Sequence, residues 1–189
     1  MGIFGDFLEE NYHTLKVVSS VPDDEKEQIR KSTKTWNNRR KHTVFADRAK
    51  LQSGQILWID FGRAFEPEMA YTHPSLLLSY ENKMCKVLPI TSNTKRFKNA
   101  YHPEDNPTGD KLQYFVKAGE CSLPKDSVIL IEQLRTLSES RIIRIDDVNP
   151  IAQDIYGEIT QILFEHLFPQ FALQKGTLQM QASSTSLPT

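Results

Sequence analysis

SVILIEQLRTLSESRI, residues 127–142, opens with an apolar run, Val128–Ile131, and then admits Glu132, Gln133 and Arg135 among further leucines. Branched and large apolar side chains in so short a stretch predict a strand over 127–137. A buried Glu or Arg without a partner is costly, so these polar residues either pair with each other or line a groove.

Working outward, the same signature recurs in QILWIDF (55–61), SLLLSY (75–80), KVLPIT (86–91) and QYFVKA (113–118), separated by loops rich in Gly, Pro, Asn or Asp. Short strands at this spacing predict a small barrel or sandwich. Residues 92–110, SNTKRFKNAYHPEDNPTGD, form a polar excursion with two prolines, long for a hairpin loop, a length that points to function or mobility. Downstream, a helix is predicted from Asn149 to Leu167. Asn149-Pro150 would supply its cap and first turn, and Ile151, Ile155, Ile159, Ile162 and Leu163 repeat along the face that packs on the sheet. Beyond Ala172 the chain is polar, rich in Ser and Thr and without period, so disorder is expected.

Upstream of Gly54 the period is helical. Phe4, Phe7, Leu8, Tyr12 and Leu15 make a docking stripe, and a second helix is predicted from Pro22, with Asp23, Asp24 and Glu25 at its positive dipole end. The apolar face of that second helix is almost only Ile29 and Trp36, so it must lean on the main domain, on a second chain or on something acidic. Residues 26–50 hold nine Lys and Arg against Glu27 and Asp47, a basic arm on a chain whose 23 basic and 24 acidic residues otherwise cancel.

With 189 residues and 39% hydrophobic content, one core is expected. Cys85 and Cys121 stand far apart, with neither a C-x-x-C clamp nor a disulfide framework, which fits a reduced, cytoplasmic protein. The start lacks the basic residues and apolar run of a signal peptide, and no stretch approaches the roughly 20 apolar residues that span a bilayer. Five scattered histidines offer no metal-ligand spacing, so no metal and no cofactor are expected.

Chemistry concentrates in three places. The loop GRAFEPEMAYTH (62–73) carries Glu66, Glu68 and His73, two carboxylates and an imidazole that suit acid/base work but also the ordinary polarity of a loop. His73 precedes Pro74 and so is pushed to extended backbone, where a loop becomes a strand. In PITSNTKR (89–96) an apolar strand ends in Thr91, Ser92, Lys95 and Arg96, hydroxyl donors and cations of the kind that contact a phosphodiester. The third place is Glu132, Gln133 and Arg135.

In order and spacing, GQILWIDFG (54–62), EPEMAYTHPSLLLS (66–79), PITSNTKR and DSVILIEQLRTLSESRI (126–142) resemble the PemK/MazF/Kid family of toxin endoribonucleases over about residues 52–168. The resemblance implies a mainly β, α+β fold: a small SH3-like β-barrel of the MazF/CcdB type with a C-terminal helix, here carrying an added N-terminal helical extension. It divides the chain into a basic extension (1–50), a toxin domain (51–172) and a tail (173–189). It further implies a homodimer, an antitoxin protein that folds across the RNA groove, and cleavage of single-stranded RNA without a metal.

Carried over residue by residue, the family's loop Glu falls on Glu68, its strand-end Thr on Thr91 and its third acidic residue on Glu132. The implied catalytic set is His73, Thr91 and Glu68, with Ser92, Lys95, Arg96, Glu132, Gln133 and Arg135 binding substrate. One departure stands out: where the family has Arg-Pro, this chain has His73-Pro74. Histidine replaces a permanent cation only when protonated, so charge stabilisation then falls to Arg135, Arg63 or Lys95. The rival reading is a barrel of the same kind that binds RNA or a protein target without cutting, its N-terminal helices serving as an interaction module.

Overall fold

The computed structural model of the protein describes residues 2–39, 50–145 and 150–170. Two helices, α1 (Ile3–Ser20) and α2 (Asp23–Arg39), precede eight strands: β1 (Ile56–Asp60), β2 (Thr72–Glu81), β3 (Met84–Thr91), β4 (Ala100–Tyr101), β5 (Asp110–Val116), β6 (Ser127–Leu130), β7 (Arg135–Ser138) and β8 (Ile142–Ile145). Helix α3 (Gln153–Leu167) follows. The strands run in the order β4-β5-β6-β3-β2-β1-β8, with β7 added on β3. Every pairing is antiparallel except the short β4–β5 contact. The protein is thus α+β and mainly β, with the expected helices at both ends, and its sheet is not closed.

Alternation explains why the central strands read as almost continuous apolar runs. In β2 and β3, Leu76, Leu88 and Ile90 face a cluster completed by Ile159, Ile162 and Leu163 of α3. Leu77, Cys85 and Val87 face the other way, into a cluster with Leu57, Ile59, Phe61 and Ile142. Both faces are covered, so both sets of positions are apolar.

The strand predicted over 127–137 is two strands. Val128 and Ile129 pair with Thr91 and Ile90, whereas Arg135 to Ser138 pair with Val87 to Met84. The paired numbers sum to 219 in the first register and 222 in the second, so three residues are left over. They form a 3₁₀ turn, Ile131–Gln133. Leu88 and Pro89 have no ladder partner on that edge of β3, and Pro89 has no N–H to offer one.

Other boundaries also moved. Helix α3 begins at Gln153, not at Asn149-Pro150, because the N–H of Ile151 donates to the Gly54 carbonyl at 2.9 Å and holds this segment against the start of the sheet. Gly54 has φ +90°, and a Cβ there would meet Pro150 at 3.1 Å, so glycine suits the contact twice over. Asn149 and the tail beyond 172 lie outside the described residues. The 92–110 excursion is built structure: Ala100, Tyr101 and His102 are buried, and the Asn106 side chain donates to the Ala100 carbonyl at 2.9 Å.

The second helix forms as its acidic first turn predicts and buries Ile29 alone. Trp36 stays 57% exposed. Polar contacts tie α2 to the sheet domain: the Tyr71 hydroxyl donates to Glu25 at 3.1 Å, and Arg39 donates to the carbonyls of Ser140 and Ile142. Helix α1 buries none of its residues, and the predicted stripe of Phe4, Phe7, Leu8, Tyr12 and Leu15 is exposed.

Candidate functional site

The three leftover residues between β6 and β7 matter because of where they point. Gln133 reaches the loop between β1 and β2: its Oε1 accepts from the Met69 N–H at 2.8 Å and its Nε2 donates to the Pro67 carbonyl at 3.1 Å. A carboxamide offers one acceptor and two donors, so it clasps the loop backbone at two points. The loop itself is closed at its neck by the Phe61 N–H on the Tyr71 carbonyl (2.8 Å) and the Tyr71 N–H on the Gly62 carbonyl (2.6 Å). Glu68 is therefore held on a fixed lobe.

Beside the clasp, Arg135 Nη2 pairs with Glu68 Oε2 at 3.1 Å. Across the cleft, Arg96 Nη1 lies 3.1 Å from Gln113 Oε1 and 3.5 Å from Glu132 Oε1. The segments Pro67–Glu68 and Glu132–Arg135, with Arg96, enclose about 430 Å³. All four charged side chains are about a third to a half exposed. Ion pairs in such settings are worth about 0–1 kcal/mol, so either guanidinium can exchange its carboxylate for a phosphate at little cost. Its planar fork then matches two phosphate oxygens.

Of the predicted site residues, Glu68, Arg96, Glu132, Gln133 and Arg135 meet in this cleft. His73 and Thr91 lie elsewhere, on neighbouring strands at a split in the sheet. The β2–β3 ladder ends at Ser75–Pro89; beyond it β2 stays with β1, where His73 is opposite Ile59, and β3 turns to β6, where Thr91 is opposite Val128. Residues 73 and 91 share strand faces with Leu77 and Val87 respectively. Thr91 is buried, its Oγ1 accepting from the Asn93 N–H at 3.2 Å. Asn93 in turn caps the 3₁₀ turn Thr94–Arg96 by accepting from the Lys95 N–H, which aims Arg96 into the cleft while Ser92 and Lys95 stay exposed.

Burial pushes the His73 imidazole below its ordinary value of 6.5, opposed by a hydrogen bond with the Ala70 backbone. Arg63 lines a different cleft, against α2. Burial pushes the thiols of Cys85 and Cys121 up to about 11 and about 12, so neither is a nucleophile at neutral pH. Among the described residues no group of three or more His, Cys, Asp or Glu is placed to hold a metal ion, and no helix is long and apolar enough to cross a membrane.

What sequence reasoning missed is the clasp. Gln133 and Met69 are 64 positions apart, and nothing local in either stretch announces the contact. The one available signal was polar residues breaking an apolar run.

A mainly antiparallel sheet backed by the C-terminal helix α3, with an arginine–glutamate cleft at one strand connection, defines the class: a small α+β protein with a polar cleft. Residues 52–167 match the family described as the PemK-like, MazF-like toxin of type II toxin-antitoxin systems, and the chain belongs to that family. It is similar to the crystal structure of MazF (Form-I) from Deinococcus radiodurans, at 20% identity and TM-score 0.45, covering 62% of this chain and 96% of that one. It is also similar to the MazE–MazF crystal structure (Form-II) from the same organism, at 20% identity and TM-score 0.43, covering 62% and 95%. No curated protein matches the chain.

Proposed function

We propose that this chain is an endoribonuclease toxin that cuts single-stranded RNA without a metal. In the reaction the 2′-oxygen bonds to the adjacent phosphorus, the bond from phosphorus to the 5′-oxygen breaks, and the products are a 2′,3′-cyclic phosphate and a 5′-hydroxyl. A base takes the 2′-hydroxyl proton, an acid gives one to the leaving oxygen, and donors meet the charge growing on the phosphate. The observation that carries this reading is the pair of arginines, Arg96 and Arg135, each loosely held by a glutamate in one cleft. They bind phosphate, Glu68 and Glu132 are released by the exchange, and Gln133 keeps the Glu68 lobe in place. His73, whose imidazole burial holds below its ordinary value, serves in proton transfer.

We further propose that residues 51–172 are the toxin domain, 1–50 an extension and 173–189 a tail. The toxin acts in the cytoplasm as a homodimer, and a cognate antitoxin covers the cleft, in keeping with the family.

Incubation of the purified chain with a long single-stranded RNA in excess EDTA tests the chemistry. Fragments with 5′-hydroxyl ends, labelled by a polynucleotide kinase without prior phosphatase, are expected. Fragments bearing 5′-phosphate, or a strict need for Mg²⁺, would overturn the cyclisation. One observation favours a second reading, binding without cleavage: His73, an imidazole that burial biases away from its charged form, stands where the resemblance places an arginine. RNA that is bound but left intact would establish it.

A further inference from the structure

We propose that Gln113, held by Asp110, is a positioning residue for Arg96: it keeps the guanidinium aimed so that an RNA phosphate can take the place of Glu132. The proposal rests on the reading of the Arg96–Arg135 cleft as an RNA site. Gln113 and Asp110 stand behind that cleft and not on its lining.

Arg96 Nη1 has two acceptors, Gln113 Oε1 at 3.1 Å and Glu132 Oε1 at 3.5 Å. They differ in kind as well as in distance. Glu132 is an ion-pair partner about a third exposed, and a phosphate entering the cleft replaces it charge for charge. A carboxamide is neutral, so Gln113 holds the guanidinium without cancelling its charge. It engages one nitrogen and leaves the rest of the fork for phosphate oxygens.

A carboxamide can present either end, and Asp110 decides which. Asp110 Oδ2 accepts from Gln113 Nε2 at 2.9 Å. A carboxylate has no proton to give, so the amide nitrogen must face Asp110 and the amide oxygen must face Arg96. Asp110 is fixed in turn: its Oδ1 accepts from the Leu112 N–H at 3.0 Å, its own N–H donates to the Asn99 carbonyl at 2.7 Å, and it pairs with Ala100 in the β4–β5 contact. Gln113 is anchored by its backbone. Opposite Leu130 it ends the β5–β6 ladder, directly before the 3₁₀ turn that carries Glu132. The 92–110 excursion thus leaves β3 with Arg96 near its start and returns with Asp110 at its end, and both side chains meet on one amide. A Cβ at Gly109 would lie 2.7 Å from the Ala100 carbonyl oxygen, so only glycine allows so close a return.

The test uses the full-length chain and a labelled, uncleavable 2′-deoxy octanucleotide, its affinity read by fluorescence anisotropy from about 50 to 200 mM salt. Arg96→Gln sets the reference, with binding about ten-fold weaker and a salt slope shallower by about 0.7, the usual mark of one lost phosphate contact on a single strand. Gln113→Leu removes no charge, yet it is expected to weaken binding about five-fold and to make the slope shallower as well, because Arg96 no longer meets the phosphate. A side chain that only packs has no means of changing that slope. Added to Arg96→Gln, Gln113→Leu is expected to cost nothing further. Asp110→Asn, at an exposed position and still able to accept from the Leu112 N–H, decides the matter if Gln113→Leu does not fold. By charge alone, loss of a carboxylate near a polyanion tightens binding. With the Gln113 amide free to turn, binding about two-fold weaker is expected instead, and no change in the Arg96→Gln background. An unchanged slope in Gln113→Leu, losses that multiply with that of Arg96→Gln, or an Asp110→Asn chain that binds as tightly as the parent or more so would each overturn the positioning role. A parent that binds no strand refutes the RNA reading and the proposal with it, a different failure from variants that behave as the parent does.

Discussion

His73 is where this chain departs from the family's Arg-Pro, and its surroundings limit what it can do there. The ring is half-buried on β2, and burial holds its pKa below 6.5. A neutral imidazole accepts a proton but offers no standing charge to a phosphate. His73→Ala should therefore lower cleavage about 10²–10⁴-fold, the usual weight of one acid or base. The parent's pH–rate profile should show its acid limb below 6.5. His73→Arg separates the roles: loss of both activity and limb means proton transfer, whereas full activity with a flat profile means electrostatics. Stability carries the same sign. A histidine with a depressed folded pKa contributes stability that is present above its unfolded value of about 6.5 and lost as pH falls through the folded one, so the parent's unfolding midpoint should drop on acidification more than that of His73→Ala. The departure from arginine was legible in the sequence; the burial was not, because it depends on strands that part company beyond Ser75 and Pro89.

At the scale of elements, the apolar face of α3 was readable, since Ile159, Ile162 and Leu163 recur at helical spacing and all are buried. What fastens that face was not. Glu158 receives the hydroxyls of Tyr101 and Tyr114 on its two oxygens, each at 2.6 Å, and these tyrosines lie on β4 and β5. Glu158→Ala leaves both hydroxyls without an acceptor in a closely packed contact, and should cost about 1–3 kcal/mol in urea unfolding. Burial, followed by the Glu158 hydrogen bond, pushes the Tyr114 hydroxyl far above its ordinary value, and the Glu158 bond itself leads the upward shift of Tyr101. A raised folded pKa contributes stability that is complete below the unfolded value, about 10, and is lost as pH rises beyond it. Tyr114→Phe should accordingly flatten the alkaline decline of stability. The division of 127–137 was hidden for a related reason. It falls opposite Leu88 and Pro89 of the neighbouring strand β3, and a strand's own composition does not report its neighbour's missing donor.

For the whole molecule, charge and packing make different claims on residues 1–50. Packing says little: Ile29 is the only buried residue of α1 and α2, and the described ties to the sheet are the Tyr71–Glu25 and Arg39 hydrogen bonds. Charge says more. The chain as a whole is balanced at −1, yet residues 26–50 hold nine Lys and Arg against two acidic residues, and within α2 the surface pairs are Lys26–Asp23, Arg30–Glu27 and Lys31–Glu27. Among the described residues, removal of 1–50 takes away one buried side chain, Ile29, so the sheet and α3 should still unfold cooperatively, with near-native far-UV circular dichroism. Single-strand affinity should fall, and it should fall most at low salt, because counterions released by lost Lys and Arg contacts no longer contribute. Titrations from about 50 to 200 mM salt should give a shallower slope than the full chain, with the two affinities converging toward the upper end. A truncated chain that fails to fold would make the helices a structural brace. A truncated chain that folds but binds with an unchanged salt slope would remove the arm from the RNA track and leave the Arg96–Arg135 cleft to act alone.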